Sequence, residues 1–313
     1  MIRVIARRLL IAIPTILIVA TFTFLLVQLV PGNVADYILG KTATPAAIHQ
    51  VDAQLGLTKP VFSQYLSWLG GALHGSFGTS YVTGQTVSGA LATALSPTLS
   101  LALLATIATL VLGQALGTLA AVRGGRLDSI IQALSSLGMA IPNFWLAALL
   151  VVAFALDIKL FPATGYTALG ASVSQWFIGL VLPVTAVALA GLAQIVLQAR
   201  ASVLDVLSKD FVRTLQAAGI PRRRILFKHV LRNSAIPVTT VAGLSFVYLL
   251  GGVIVIETIF NIPGMGSLMI NSVSRHDLPV LQGAVIYFAL IVVVVNLAVD
   301  LLTAWLDPRV RAR

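Results

Sequence analysis

The 313-residue chain contains no cysteine. Disulfides and thiolate metal sites are therefore excluded. Charge is scarce as well: Asp, Glu, Lys and Arg make up 10% of residues, where soluble domains carry about a quarter. Histidine occurs only as His49, His74, His229 and His276, all in polar stretches. No H-E-x-x-H motif occurs, so an intramembrane metalloprotease would have no zinc ligands. A serine nucleophile elbow is missing too. The alternating pattern of membrane β-barrel strands is also absent. These gaps weigh against an enzyme and against a barrel.

What the chain has instead is apolar length. Hydrophobic residues make up 58% and the mean hydropathy is +0.99. Crossing a bilayer takes about 20 apolar residues, and six such runs are read at 9–30, 97–121, 129–156, 176–199, 235–256 and 284–306. In lipid every backbone N–H and C=O must be satisfied within its own segment, which selects helices. The expected fold is an all-α polytopic membrane protein with six transmembrane helices. The first run has an Arg-rich flank like a signal peptide. It is longer than a typical h-region and no small-residue cleavage site follows, so it reads as an uncleaved span.

The net charge of +10 could suggest nucleic acid, but the positions of the cations say otherwise. Sixteen of the twenty fall at the N-terminus (Arg3, Arg7, Arg8), between the second and third runs (Arg123, Arg126), in the central stretch from Arg200 to Arg232, and at the C-terminus (Arg309, Arg311, Arg313). Lys41, Lys59, Lys159 and Arg275 fall on the other side. By the positive-inside rule both termini are expected in the cytoplasm.

Residues 31–95 then form an outer segment, with an amphipathic run at AAIHQVDAQLGL and an aromatic edge of Phe62, Tyr65 and Trp68 expected at the membrane interface. Ala35 to Thr42 imitates a loose Walker A pattern. Tyr37 and Ile38 stand where a phosphate-cradling turn needs glycine, so the match is taken as chance. Gly113 and Gly117 are spaced for close helix approach. Pro142 predicts a kink within the third span, and Pro183 lies within the fourth. The outer loop 257–280 mixes apolar residues with a Pro263–Gly264 turn and is expected to pack. Asp300 lies in the last span near its inner end, where hydration or pairing with an inner-face arginine is the expected role.

Residues 205–237 form the one long basic segment, DVLSKDFVRTLQAAGIPRRRILFKHVLRNSAIP. Two helical patterns are divided by Gly219, a helix stop, and Pro221, a first-turn proline. Composition alone allows two readings: a basic loop that only anchors topology, or a docking element for a cytoplasmic partner.

The whole chain resembles the permease subunits of dipeptide/oligopeptide-type ATP-binding-cassette importers, in particular the subunit with a long first outer loop. The central stretch is similar to that superfamily's EAA loop. Asp210, Phe211, Val212, Arg213, Thr214, Ala217 and Gly219 match its first part, and Arg223, Arg224, His229, Leu231, Arg232, Asn233 and Pro237 its second. Leu215 and Ala218 depart from the usual alanine and lysine, and Ser76 stands where the family usually has aspartate. PGNVADYILG, LGLTKPVFSQY, LFPATGY, ETIF-x-x-PGMG and the Asp300…Asp307–Pro308–Arg309 ending extend the likeness.

The resemblance implies the type I importer permease fold and a multi-pass place in a bacterial or archaeal inner membrane. Its divisions would be 1–30, an extracytoplasmic 31–95, and a core at 96–313 with a coupling loop at 203–234. It further implies that Asp210, Arg213, Thr214, Ala217, Gly219, Ile220, Pro221, Arg223, Arg224 and His229 meet cytoplasmic ATPases. Tyr65, Trp68, Glu257, Pro263, Gly264 and Met265 would dock an extracytoplasmic peptide-binding protein. Partners would be a paralogous permease subunit, two ATPases or one fused ATPase, and lipid, with no nucleic acid. The chain itself would hold no cofactor, since ATP and magnesium would be bound by the ATPases. Related permeases carry peptides, nickel chelates or glutathione. An autonomous secondary transporter is the competing class, but no convergent buried ionisable residues or inverted repeat support it.

Overall fold

The computed structural model describes residues 2–29, 32–40 and 43–306. Lys41, the Asp307–Pro308–Arg309 ending and the C-terminal arginines lie outside the described residues. In chain order the helices are α1 (Ile2–Gln28), α2 (Val34–Leu39), α3 (Pro45–Gln54), α4 (Val61–Leu73), α5 (Val87–Arg123), α6 (Gly125–Ala140), α7 (Asn143–Leu150), α8 (Val173–Leu207), α9 (Asp210–Ala217), α10 (Arg222–Arg224), α11 (Leu231–Ile259), α12 (Met265–Ser274) and α13 (Leu278–Leu306). π-Helical turns Val151–Asp157 and Ile225–Val230 follow α7 and α10. Among the described residues the only β pairing is an isolated bridge between Thr79 and Thr86.

Among the described residues, five helical stretches are long and apolar enough to cross a membrane: Arg8–Gln28, Val87–Arg123, Val173–Leu207, Arg222–Ile259 and Leu278–Trp305. The sixth expected span is a broken one. The sequence predicts a kinked helix at Pro142. Instead the chain turns by 101° between Gly125–Ala140 and Asn143–Asp157. A proline disfavours helical geometry in the residue before it. Ile141 accordingly adopts φ −89°, ψ 120°, Pro142 itself is extended, and the helix stops and restarts.

The chain divides into two compact units. In the unit built on Leu99–Ile262, α8 is the hub, packing on α6, α7 and α11. Fourteen α8 residues are buried, among them Ile195, Val196 and Ala199. Gly113 and Gly117 of α5 allow the expected close approach. A Cβ at Gly113 would lie 2.6 Å from the Ile195 side chain, and one at Gly117 would lie 2.5 Å from the Val196 carbonyl. The Thr109 hydroxyl donates to the Ala188 carbonyl at 3.1 Å, tying the same two helices.

The second unit comprises Ala6–Thr98 and Pro263–Val293. Its core joins Ala20 of α1, Phe77, Val87 and Leu91, Met265 of α12, and Val280 and Ala284 of α13. The segment expected on the outer face therefore rests on span ends rather than on a core of its own. Tyr65 and Trp68 of α4 pack against α1. Phe24 meets their rings at centroid distances of 5.2 and 5.7 Å, and Tyr65 and Thr21 share a hydrogen bond at 2.7 Å. Phe62 and Leu66 carry the exposed apolar face instead. Asn33 caps α2, so the residues that imitate a phosphate loop are helical through Leu39.

Candidate functional site

The basic central stretch folds into a compact turn. α9 ends in a two-bond C-terminal stop: Gly219 N–H donates to the Gln216 carbonyl at 3.0 Å and Ile220 N–H to that of Leu215 at 3.1 Å. Gly219 has φ +73°, the left-handed conformation this stop requires. Leu215 and Ile220 then meet in an apolar cluster with Val203, Val206, Val212, Ile225 and Val230. That cluster is the underside of the turn and fastens it to α8.

The opposite face is exposed. Asp210, Arg213, Thr214, Ala217, Gly219, Pro221, Arg223 and Arg224 all reach solvent, while Ile220 and His229 are half-buried. Arg213 lies 3.7 Å from Asp210, a loose contact between side chains 75% and 97% exposed, so both remain available to a partner. The Thr214 hydroxyl is turned back to the Asp210 carbonyl at 3.1 Å. Arg223 stands 5.9 Å from the centroid of the Phe227 ring, which is 61% exposed. Exposed apolar and cationic groups on a turn anchored from below make a rigid protrusion suited to a groove. Eight of the ten residues expected to meet ATPases are thus exposed.

The expected outer residues separate. Glu257 is wholly buried in its unit, and so is Met265 in the other, where its N–H donates to the Thr98 hydroxyl at 2.8 Å. Gly264 is buried and Pro263 exposed. Tyr65 and Trp68 are half-buried against Phe24. Pro263 is therefore the one member of this set that presents an open surface.

Three groups escaped the sequence reading, which weighed only ionisable residues within spans. The Ser245 hydroxyl of α11 donates to the Gln194 carboxamide of α8 at 3.2 Å, and Gln194 is itself exposed. One turn on, Tyr248 is 79% exposed. Arg200 grips Asp128 of α6 with two hydrogen bonds of 2.5 and 2.6 Å, so this cation is structural and not part of the exposed face. Neutral amides within the apolar runs were the available signal, since each costs several kcal/mol if left unsatisfied in hydrocarbon. Ser80 and Tyr81 also bind a buried carboxylate: Asp277 accepts from the Ser80 hydroxyl at 2.5 Å and from the Tyr81 N–H at 3.0 Å.

Residues 113–312 match the family described as the binding-protein-dependent transport system inner membrane component, and residues 1–102 match its N-terminal companion family. This chain belongs to that family. It is a multi-pass membrane permease of the ATP-binding-cassette importer type. A protein of Sinorhizobium fredii named a probable peptide ABC transporter permease is 38% identical over 308 residues, 98% of each chain. The glutathione transport system permease protein GsiC of Salmonella choleraesuis is 39% identical over 312 residues, 99% of each. Among solved structures, an inward-facing form of the MetNI methionine ABC transporter aligns with a TM-score of 0.57 at 15% identity. It covers 69% of this chain and 96% of that one, a likeness of fold.

Proposed function

We propose that this permease forms half of the translocation path of an ATP-driven importer for peptides delivered by an extracytoplasmic binding protein. The observation that carries the reading is the basic turn at Gly219, apolar below and exposed above, which is the form a coupling element needs. The two full-length relatives, one named for peptides and one for glutathione, support the substrate class. Glutathione, itself a tripeptide, is the second reading.

In this reading both termini and the basic turn lie in the cytoplasm, following the cation distribution. ATP and magnesium are held by partner ATPases. Their closure displaces the turn, and α11, which continues from it, carries the displacement into the membrane. Gln194, held by Ser245, faces the path together with the exposed Tyr248, because a lipid-facing carboxamide would be costly. A paralogous permease supplies the other half. The exposed outer segment, with Pro263, receives the binding protein.

The test is reconstitution in liposomes with labelled di- and tripeptides. Uptake should require this chain, its paralogue, the ATPases, ATP and the binding protein together. Peptide flux through this chain alone would overturn the reading.

A further inference from the structure

We propose that the outer segment carries a ligand pocket of its own, built for a carboxylate attached to an apolar group. That is the chemistry of a peptide's C-terminal residue, so the identity of the natural ligand rests on the peptide reading above. The pocket has a volume of about 460 Å³ and lies wholly within the unit Ala6–Thr98 and Pro263–Val293, lined by the end of α1, by α4 and its flanking loops and by the start of α13. Phe77, Tyr81 and Leu278 supply apolar wall. Trp68, Gln282 and Lys59 supply hydrogen-bond donors.

One of those donors is buried and unanswered, and a second has no partner among the described residues. The Trp68 indole N–H, a group that can only donate, is buried without a hydrogen-bond partner among the described residues. Gln282 is 5% exposed, and its carboxamide makes no hydrogen bond among the described residues. Buried polar groups are nearly always paired in folded proteins, so an orphaned indole N–H beside an unpartnered carboxamide in one cavity points to something that enters it. Lys59 stands exposed at the rim and makes no ion pair among the described residues. Its loop is held in place by Gln64, whose amide donates to the carbonyls of Leu57 at 3.1 Å and Lys59 at 2.8 Å.

The lining contains no aspartate or glutamate. A cavity with a cation and several donors and no carboxylate favours an anionic acceptor, and charge-assisted hydrogen bonds are the strong ones. A bare phosphate would answer the donors but leave the aromatic and aliphatic wall against water. A carboxylate bearing a leucine-sized side chain answers both, and it fits a pocket of this size.

The experiment titrates the full-length chain in lipid nanodiscs with N-acetyl-leucine and with N-acetyl-leucinamide. The acid should bind, and the amide should bind about tenfold more weakly or less, since the charge-assisted contacts are gone. Lys59→Ala, at the exposed rim, should weaken the acid by a similar factor without changing thermal stability. Gln282→Leu and Trp68→Phe should weaken it too. Absence of acid binding, equal binding of acid and amide, or unchanged affinity in both Lys59→Ala and Gln282→Leu would overturn the pocket. Inorganic phosphate competing as well as the acid would overturn its apolar half. If the acid binds with the expected pattern while the assembled importer moves no peptide, the substrate reading falls and the site stands. If the importer moves peptides and the acid does not bind, only the pocket falls.

Discussion

Gly219 stands in open space, with no atom beyond its own chain neighbours within 4 Å of where a Cβ would sit, so its constraint is conformational rather than steric. At φ +73° a residue with a Cβ pays about 1–2 kcal/mol, more when β-branched. Gly219→Val should therefore leave the apolar underside and membrane insertion intact but misdirect the exposed turn. The measurement is co-purification of tagged permease with its ATPases: normal expression with lost ATPase is expected. Tyr81 offers a second residue-scale test. Burial first, and the Asp277 carboxylate second, raise its phenol above the ordinary 10.0. A raised folded value means the folded state holds its proton longer than the unfolded chain does. This contribution to stability is thus full below about pH 10 and is lost as pH climbs through the folded value. Tyr81→Phe should flatten that alkaline loss in thermal unfolding followed from pH 8 to 11. Gly219 was legible in the sequence as a helix stop before a proline. Asp277 was not, because its partners Ser80 and Tyr81 lie almost two hundred positions away.

At the scale of elements, α6 and α7 show how one local rule outweighs a long apolar run. Residues 129–156 read as a single span, yet the extended pair Ile141–Pro142 divides them. The gap is tolerable because Trp145 and Leu146 N–H groups both turn to the Pro142 carbonyl at 3.1 Å, while α6 and α7 each pack on α8. Removing the proline lifts the restriction on Ile141 and lets the two helices join. A chain without cysteine allows this to be read with paired spin labels at Leu134→Cys and Leu156→Cys, both exposed positions. Pro142→Ala should add a population near the separation of a straight helix, about 33 Å between backbones. The parent chain should show only the shorter, bent distance. The proline itself was visible in the sequence. Whether it kinks or breaks a helix depends on neighbours that can cover the exposed backbone, and those are tertiary.

For the whole molecule, the outer segment is tested by removing a part that carries no core. α3 (Pro45–Gln54) has no buried residue, whereas Trp68 and Phe77 belong to the packed cluster around Val87 and Leu91. Replacing α3 with a short Gly-Ser linker should leave assembly and basal ATP hydrolysis unchanged. It should reduce stimulation of hydrolysis by the binding protein at least several-fold, measured as phosphate release; full stimulation would make α3 mere cover. The amino-acid sequence by itself determined the class of this protein. Apolar runs of bilayer length admit only helices, because lipid offers the backbone no other partner. The basic turn, its glycine and its family likeness are likewise local pattern. Only the tertiary structure decided which residues share a surface. Glu257 and Met265, grouped by motif as outer contacts, are buried, while Lys59 and Trp68 meet Gln282 around one cavity although it lies more than two hundred positions away. The physical reason is that helix formation is settled within a few residues of chain. Burial and convergence are settled by which helices pack together, and an apolar sequence with little charge marks few of those pairings in advance.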